Sequence, residues 1–91
     1  MDVLKAQKRD MSEKAKRLRR EGYITGNVCG KEIEGSIPVK MEKKAVNHIL
    51  SNNNKGSQIM LDVDGESHNV LIKEIHFNAL DNVVEEIEFQ A

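Results

Sequence analysis

Asp64-Gly65 separates two runs of alternating apolar residues, and no other feature restricts the fold of this chain more. An Asp-Gly pair takes positive φ at both central positions of a two-residue loop, which gives a type I′ turn. Ile59, Leu61 and Val63 then face one side of the arriving strand. The departing strand returns through Val70, Ile72 and Ile75. The hairpin is the clearest local structure in the sequence.

The remaining segments supply further strands and short helices. Residues 2–9 alternate in part, with Leu4 and Ala6 on one face and Lys5 on the other, as in an edge strand. Asp10 followed by Glu13 has the spacing of a capping box, and Gly22 suits the position just past a helix end. A helix is therefore expected from about residue 10 to Glu21, docked through Met11, Ala15 and Leu18. Tyr23 to Val28 and Ile33 to Val39 read as two strands joined by a turn at Cys29-Gly30-Lys31-Glu32. Pro38 favours an edge position for the second of them. Met41 to Ser51 reads as a second helix with Val46, Ile49 and Leu50 facing inward. Val83 to Phe89 reads as the last strand, with Val83, Ile87 and Phe89 inward and Glu86 and Glu88 outward.

Six short strands in 91 residues tend to close, because closure removes exposed edges. The expected class is mainly β: a small closed six-stranded barrel with two or three short α-helices, one domain over residues 1–91. Aromatic residues are few (Tyr23, Phe77, Phe89), so Ile, Val, Leu and Met must form the core. The single cysteine, Cys29, excludes an internal disulfide and fits a reducing compartment. No apolar run approaches a membrane span or a secretory leader. These features lead to the expectation of a soluble, cytoplasmic protein.

Charge is distributed unevenly. Residues 1–22 carry eight Lys/Arg against four Asp/Glu, whereas residues 74–91 carry five acids and no Lys or Arg. The formal net charge of −1 hides this asymmetry. Lys14, Lys16, Arg17, Arg19 and Arg20 crowd one short helix, preceded by Arg9. A solvated helix face with Glu13–Arg17 and Arg17–Glu21 pairs would account for part of the charge, at tenths of a kcal/mol per pair. Two acids do not balance five bases, so the excess points to a polyanion partner such as nucleic acid.

Other constellations carry less. His48, His68, His76 and Cys29 show no ligand spacing for a metal. Cys29 has no local base or orienting group, so packing next to a glycine turn explains it better than nucleophilic catalysis. Gly26 and Gly30 form no phosphate-binding loop. Nothing in the chain argues for an enzyme, a cofactor or a small-molecule substrate. Glu85, Glu86 and Glu88 read as charges that guard an exposed strand against aggregation. A pairing face for a basic protein or for this chain's own basic helix, or carboxylates bridged to phosphate by Mg²⁺, are the alternatives.

Lys16-Arg17-Leu18-Arg19-Arg20-Glu21-Gly22, Gly30, Asp64-Gly65 and Val70 to Ile75, in this order of elements, resemble the bacterial 5S-rRNA-binding proteins of the large ribosomal subunit, the twenty-fifth in their series. The same domain occurs in the CTC general stress proteins. The resemblance covers nearly the whole chain. It implies a six-stranded barrel with flanking helices, bound to 5S rRNA through its basic N-terminal region and one barrel face; off the ribosome the chain is expected to be a monomer. The RNA-binding residues so implied are Arg9, Lys14, Lys16, Arg17, Arg19 and Arg20, with His76 at a position where the family places an RNA-contacting glutamine. The family's tyrosine falls at Cys29, and its closing His-x-Asp-Phe is Glu86-Ile87-Glu88-Phe89 here. These replacements favour a rival role, a barrel retained as a stress-linked or regulatory protein-interaction module.

Overall fold

The computed structural model describes all 91 residues. The elements are β1 (Val3–Lys8), α1 (Ala15–Arg20), β2 (Tyr23–Cys29), β3 (Ile37–Glu42), α2 (Lys43–Leu50), β4 (Gln58–Val63), β5 (Glu66–Phe77) and β6 (Val84–Gln90). The strands close in the order β1-β3-β2-β6-β5-β4, so the expected six-stranded barrel is present, with two helices. β1 runs parallel to β4 and β2 parallel to β6, and the other neighbours are antiparallel.

The hairpin forms as its turn chemistry requires. Asp64 and Gly65 have φ of 50° and 89°, and Val63 pairs with Glu66 across the turn. Along β5, the odd spacing of Val70, Ile72 and Ile75 has a physical origin. Ile72 pairs with Phe89 and Glu74 with Glu88, so Lys73 is an extra residue that re-phases the strand. Ile75 therefore packs against the core on the same side as Ile72.

The interior is aliphatic apart from Phe89. Leu4, Ile24, Val28, Val39, Met41, Ile59, Leu61, Val63, Val70, Ile72, Ile87 and Phe89 belong to one buried cluster. Val46 and Ile49 of α2 join it, so the apolar stripe of α2 packs into the barrel core. β3 runs straight into α2, which begins at Lys43 rather than Met41. Met41 is a buried strand residue.

Three segments differ from the sequence-based expectation. The first helix starts at Ala15, not near residue 10. Half of the capping box forms, Asp10 N–H donating to Glu13 Oε1 (3.2 Å), while the Asp10 carboxylate accepts from the Ser12 amide (2.9 Å) and the Glu13 amide goes to the Asp10 carbonyl (2.9 Å). These close an isolated turn, because Lys14 is extended (ψ 131°) and breaks the helical path. Met11 is consequently 68% exposed and docks nothing. β3 spans Ile37–Glu42 instead of 33–39, since Gly35 (φ 72°) bends the chain, while Ile33 folds back onto the core from a turn. Val83 precedes β6 and is exposed, after Asn82 at φ 53°.

Pro38 lies in a strand flanked on both sides, by β1 and β2, not at a sheet edge. Its carbonyl accepts from the Arg9 amide, just past the last residue of β1. The N–H that proline lacks would have faced the same side, toward Arg9, so the cost is confined to one bond just past the end of β1.

Candidate nucleic-acid interface

α1 is six residues long and too short to persist alone. Two contacts hold it to the barrel. Leu18 is buried between the helix and the barrel wall (3% exposed), outside the main core cluster. Arg19 donates from Nε to the Glu85 carbonyl and from Nη2 to Thr25 Oγ1, both at 3.3 Å. Burying a leucine stabilises by about 1.5–3 kcal/mol. The exposed Arg17–Glu21 pair at 2.9 Å adds only tenths. Packing therefore fixes the helix and leaves Lys16, Arg17 and Arg20 to solvent.

Each residue singled out from the sequence has a distinct place. Lys14, Lys16 and Arg20 are exposed and form no ion pair. Arg17 is exposed and engaged only by Glu21. Arg19 is half-buried in the bracket to Thr25 and Glu85. Arg9 is half-buried, and its guanidinium donates twice to the Glu13 carbonyl, at 3.0 and 3.3 Å. The expected Glu13–Arg17 pair is absent. The Glu13 carboxylate instead meets Lys40 Nζ at 2.8 Å, which holds the Glu13 carboxyl below its ordinary range and raises the Lys40 ammonium. Lys40 in turn lies 5.4 Å from the centre of the Tyr23 ring. This contact could not be anticipated from the sequence, because Glu13 and Lys40 meet only through the fold.

Beside the helix lies the outer face of β2, β6 and β5. Ile87 and Phe89 are buried, so Glu86, Glu88 and Gln90 turn outward. Their ladder partners are Thr25, Asn27 and Cys29 on β2, and His76, Glu74 and Leu71 on β5. Cys29, His76, Glu86 and Glu88 thus share one surface. His76 Nε2 is 3.0 Å from Glu88 Oε2, and this bond raises the imidazole pKa above 6.5, helped by Glu86 and Glu74 nearby and opposed by partial desolvation. Glu74 is lowered by its bond to Lys55 at 3.0 Å. An open cavity of about 770 Å³ beside the loop after β2 is lined by Gly30, Ile33 and His68 but not by Cys29. It brings no histidine to the thiol.

The His76 arrangement predicts a titration. His76 gains a partner on folding, so the stability it contributes is fully present below pH 6.5 and is lost as pH rises through the raised native value. Glu88→Gln should return the His76 midpoint, followed by ¹H–¹⁵N imidazole shifts, toward 6.5. A midpoint unmoved by that substitution would remove the Glu88 bond as its cause.

A barrel with this strand order, a basic helix on β2 and matching residues from end to end leaves a specific ancestry to test. The model of the Ribosomal L25p family matches residues 4–89. The chain belongs to that family. Among L25p relatives, "Large ribosomal subunit protein bL25" of Thermoanaerobacter sp. (strain X514) is 33% identical over 88 residues, covering 96% of this chain and 44% of the relative. The bL25 of Bacillus licheniformis is 28% identical over 92 residues, covering 99% and 44%. "General stress protein Ctc" of Bacillus subtilis (strain 168) is 29% identical over 73 residues, covering 80% and 35%. The chain thus spans less than half the length of the L25p relatives it matches. No helix is long and apolar enough to cross a membrane.

Proposed function

We propose that this chain is a non-enzymatic RNA-binding protein of the large ribosomal subunit, docking on 5S rRNA, cytoplasmic and monomeric when off the ribosome. The observation that carries the reading is the exposure of Lys14, Lys16 and Arg20 on a helix fixed to the barrel by Leu18 and Arg19. Cations without internal partners on a rigid support suit phosphate oxygens, whose contacts dominate RNA affinity. Arg17 joins them by exchanging Glu21 for phosphate. Arg9 and Arg19 contribute by ordering the segment, with donors left over for the RNA. His76 reaches the barrel face, where, protonated, it offsets part of the charge of Glu86 and Glu88.

The test is a fluorescence-anisotropy titration of labelled 5S rRNA from low to physiological salt, against an unrelated duplex RNA. With four phosphates neutralised, log K should fall with log salt at a slope of about −3 to −4. A preference for 5S rRNA that persists at physiological salt supports the ribosomal role. Equal binding to both RNAs would reduce the helix to a generic anchor.

The acidic barrel face favours a second reading, a protein-interaction module in which the L25p barrel serves a regulatory or stress-linked role. The similarity to a protein named for general stress is consistent with it. Co-sedimentation with 50S subunits through a high-salt sucrose gradient separates the two. A ribosomal component stays with the particle, and a peripheral module washes off.

A further inference from the structure

From Lys43 to Leu61 the chain carries Lys43, Lys44, His48 and Lys55 and no Asp or Glu, in a protein with fifteen acids. Most of this acid-free run is α2 and the loop behind it. At about 100° per residue, Lys43, Lys44, Asn47, His48 and the C-cap Ser51 fall within a sector of about 140°. All five are exposed. Val46 and Ile49, on the other side, are buried in the core, and Ala45 and Leu50 pack against it. α2 thus turns to solvent a face of cations, an amide and a hydroxyl without one carboxylate.

Neither helix stability nor a partner within the chain accounts for the two lysines. The first turn of α2 has no acid, and no side chain caps its start. Lysines there oppose the helix dipole, where aspartate or glutamate would favour the fold. Lys43 and Lys44 form no ion pair, and Lys55, the third lysine of the run, is held by Glu74. Two cations set against the dipole and left unpaired call for a reason outside the fold.

The place of α2 supplies it. The Gly22 carbonyl, two residues beyond Arg20, accepts from the Lys43 amide at 2.9 Å. The end of α1 and the start of α2 therefore meet at one corner of the barrel. The Arg20 and Lys43 backbones are no more than about 13 Å apart. Glu21 and Glu42 are the carboxylates of this corner. Glu21 is held by Arg17, and Glu42 lines a groove over β1 with Lys40 and Asp62. Against them stand Lys16, Arg17, Arg20, Lys43 and Lys44. A surface of this sign, continuous with the exposed cations of α1, complements a polyanion. The donors of Asn47, His48 and Ser51 suit phosphate oxygens and 2′-hydroxyls.

We propose that α2 is a second RNA-contacting element, in which Lys43 and Lys44 take phosphates of the RNA that α1 holds and Asn47 and His48 donate to the backbone beside them. The inference rests on the RNA-binding reading above. It adds a track that turns the corner at Gly22 instead of ending with α1. The helices are about 9 Å and 12 Å long, so the track extends the reach of α1 by more than its own length. Two phosphates added to the four at α1 carry the slope of log K against log salt to about −4 to −5.

The experiment titrates labelled 5S rRNA with the full chain at four salt concentrations, followed by anisotropy. Lys43→Glu with Lys44→Glu should weaken binding at least tenfold at physiological salt and make the slope shallower by about 1.4–1.8. Its melting temperature should equal or exceed that of the wild type, because carboxylates now occupy the favourable end of the helix. Lost affinity is then not lost fold. Lys43→Gln with Lys44→Gln should give the same change of slope with a smaller loss, and it decides the matter if the glutamate variant fails to fold. Lys8→Glu with Lys31→Glu makes an equal charge change at the opposite end of the barrel, by the Asp64 turn and the end of β2. That end lies beyond the roughly 8 Å over which exposed charges act at physiological salt, so affinity there should stay within about twofold. Wild-type affinity and slope in both α2 variants, with Lys16→Glu/Arg20→Glu still weakened, would overturn the proposal and leave the reading of α1 intact. Equal losses from the α2 and far-end variants would overturn it too, since net charge alone would explain both. A wild-type chain that does not bind 5S rRNA would remove the RNA-binding reading and the track with it.

Discussion

Gly26→Val should lower the thermal unfolding midpoint by about 12–24 °C, corresponding to roughly 3 kcal/mol in a domain of this size. Gly26 sits in β2 opposite Ile87, at the parallel seam where β2 meets β6. A Cβ added there would stand 2.5 Å from the Ile87 carbonyl oxygen and 3.1 Å from the Met41 Cε, with the Phe89 ring at 3.5 Å. The methionine tip can move away, whereas a backbone oxygen in a ladder cannot move without opening the seam. Valine adds two methyl groups to a site already closed on three sides. Gly35→Asn is the matched control. Gly35 has φ 72° with open space around it, a conformation asparagine tolerates. That substitution should cost less than about 1 kcal/mol. Thermal melts followed by circular dichroism check both, and a Gly26→Val protein that melts with the wild type would contradict the close approach of β2 to β6.

The fold could be read from the sequence where local chemistry and global pattern agree. Asp64-Gly65 dictates its turn because both residues accept positive φ, and the alternating residues on either side then have only one register that buries them. The barrel followed from the number of short strands. Legibility failed where a distant residue overrides a local signal. The capping-box pair at Asp10 and Glu13 forms one of its two bonds, yet no helix grows from it. Lys40 draws the Glu13 carboxylate, and the Arg9 guanidinium occupies the Glu13 carbonyl, the acceptor an α-helix would have used. Lys40 is distant in sequence and nothing near Glu13 announces it. Gly35, at φ 72°, ends the extended path expected from Ile33, and β3 starts only at Ile37.

At the candidate interface the sequence supplied the residue types and the structure sorted them. Six bases between Arg9 and Arg20 look alike as letters. Folded, two of them, Arg9 and Arg19, direct donors to the protein's own carbonyls, Arg17 is lightly held, and Lys14, Lys16 and Arg20 remain without partners. Helical spacing alone could not separate Arg19 from Arg20, since only the position of β6 provides the Glu85 carbonyl. The outward direction of Glu86 and Glu88 was legible from alternation with Ile87 and Phe89. Their grouping with His76 needed the β5–β6 register, which the bulge at Lys73 shifts by one residue.

That sorting decides where charge reversal should act. Lys16→Glu with Arg20→Glu should weaken 5S rRNA binding by more than tenfold at physiological salt, at least about 1.4 kcal/mol. With two fewer phosphates neutralised, the slope of log K against log salt should also become shallower by about 1.4–1.8. Both side chains are exposed without partners, and they lie one helical turn apart, so the new carboxylates cost the fold only tenths of a kcal/mol. Arg19→Gln gives the contrasting signature. It loosens the bracket to Thr25 and Glu85, so affinity should fall with helix order while the salt slope stays near that of the wild type. Anisotropy titrations at four salt concentrations separate the two behaviours. A slope unchanged in the Lys16/Arg20 variant would mean that the phosphates rest elsewhere on the barrel, and α1 would then be a structural strap whose surplus charge has no ligand.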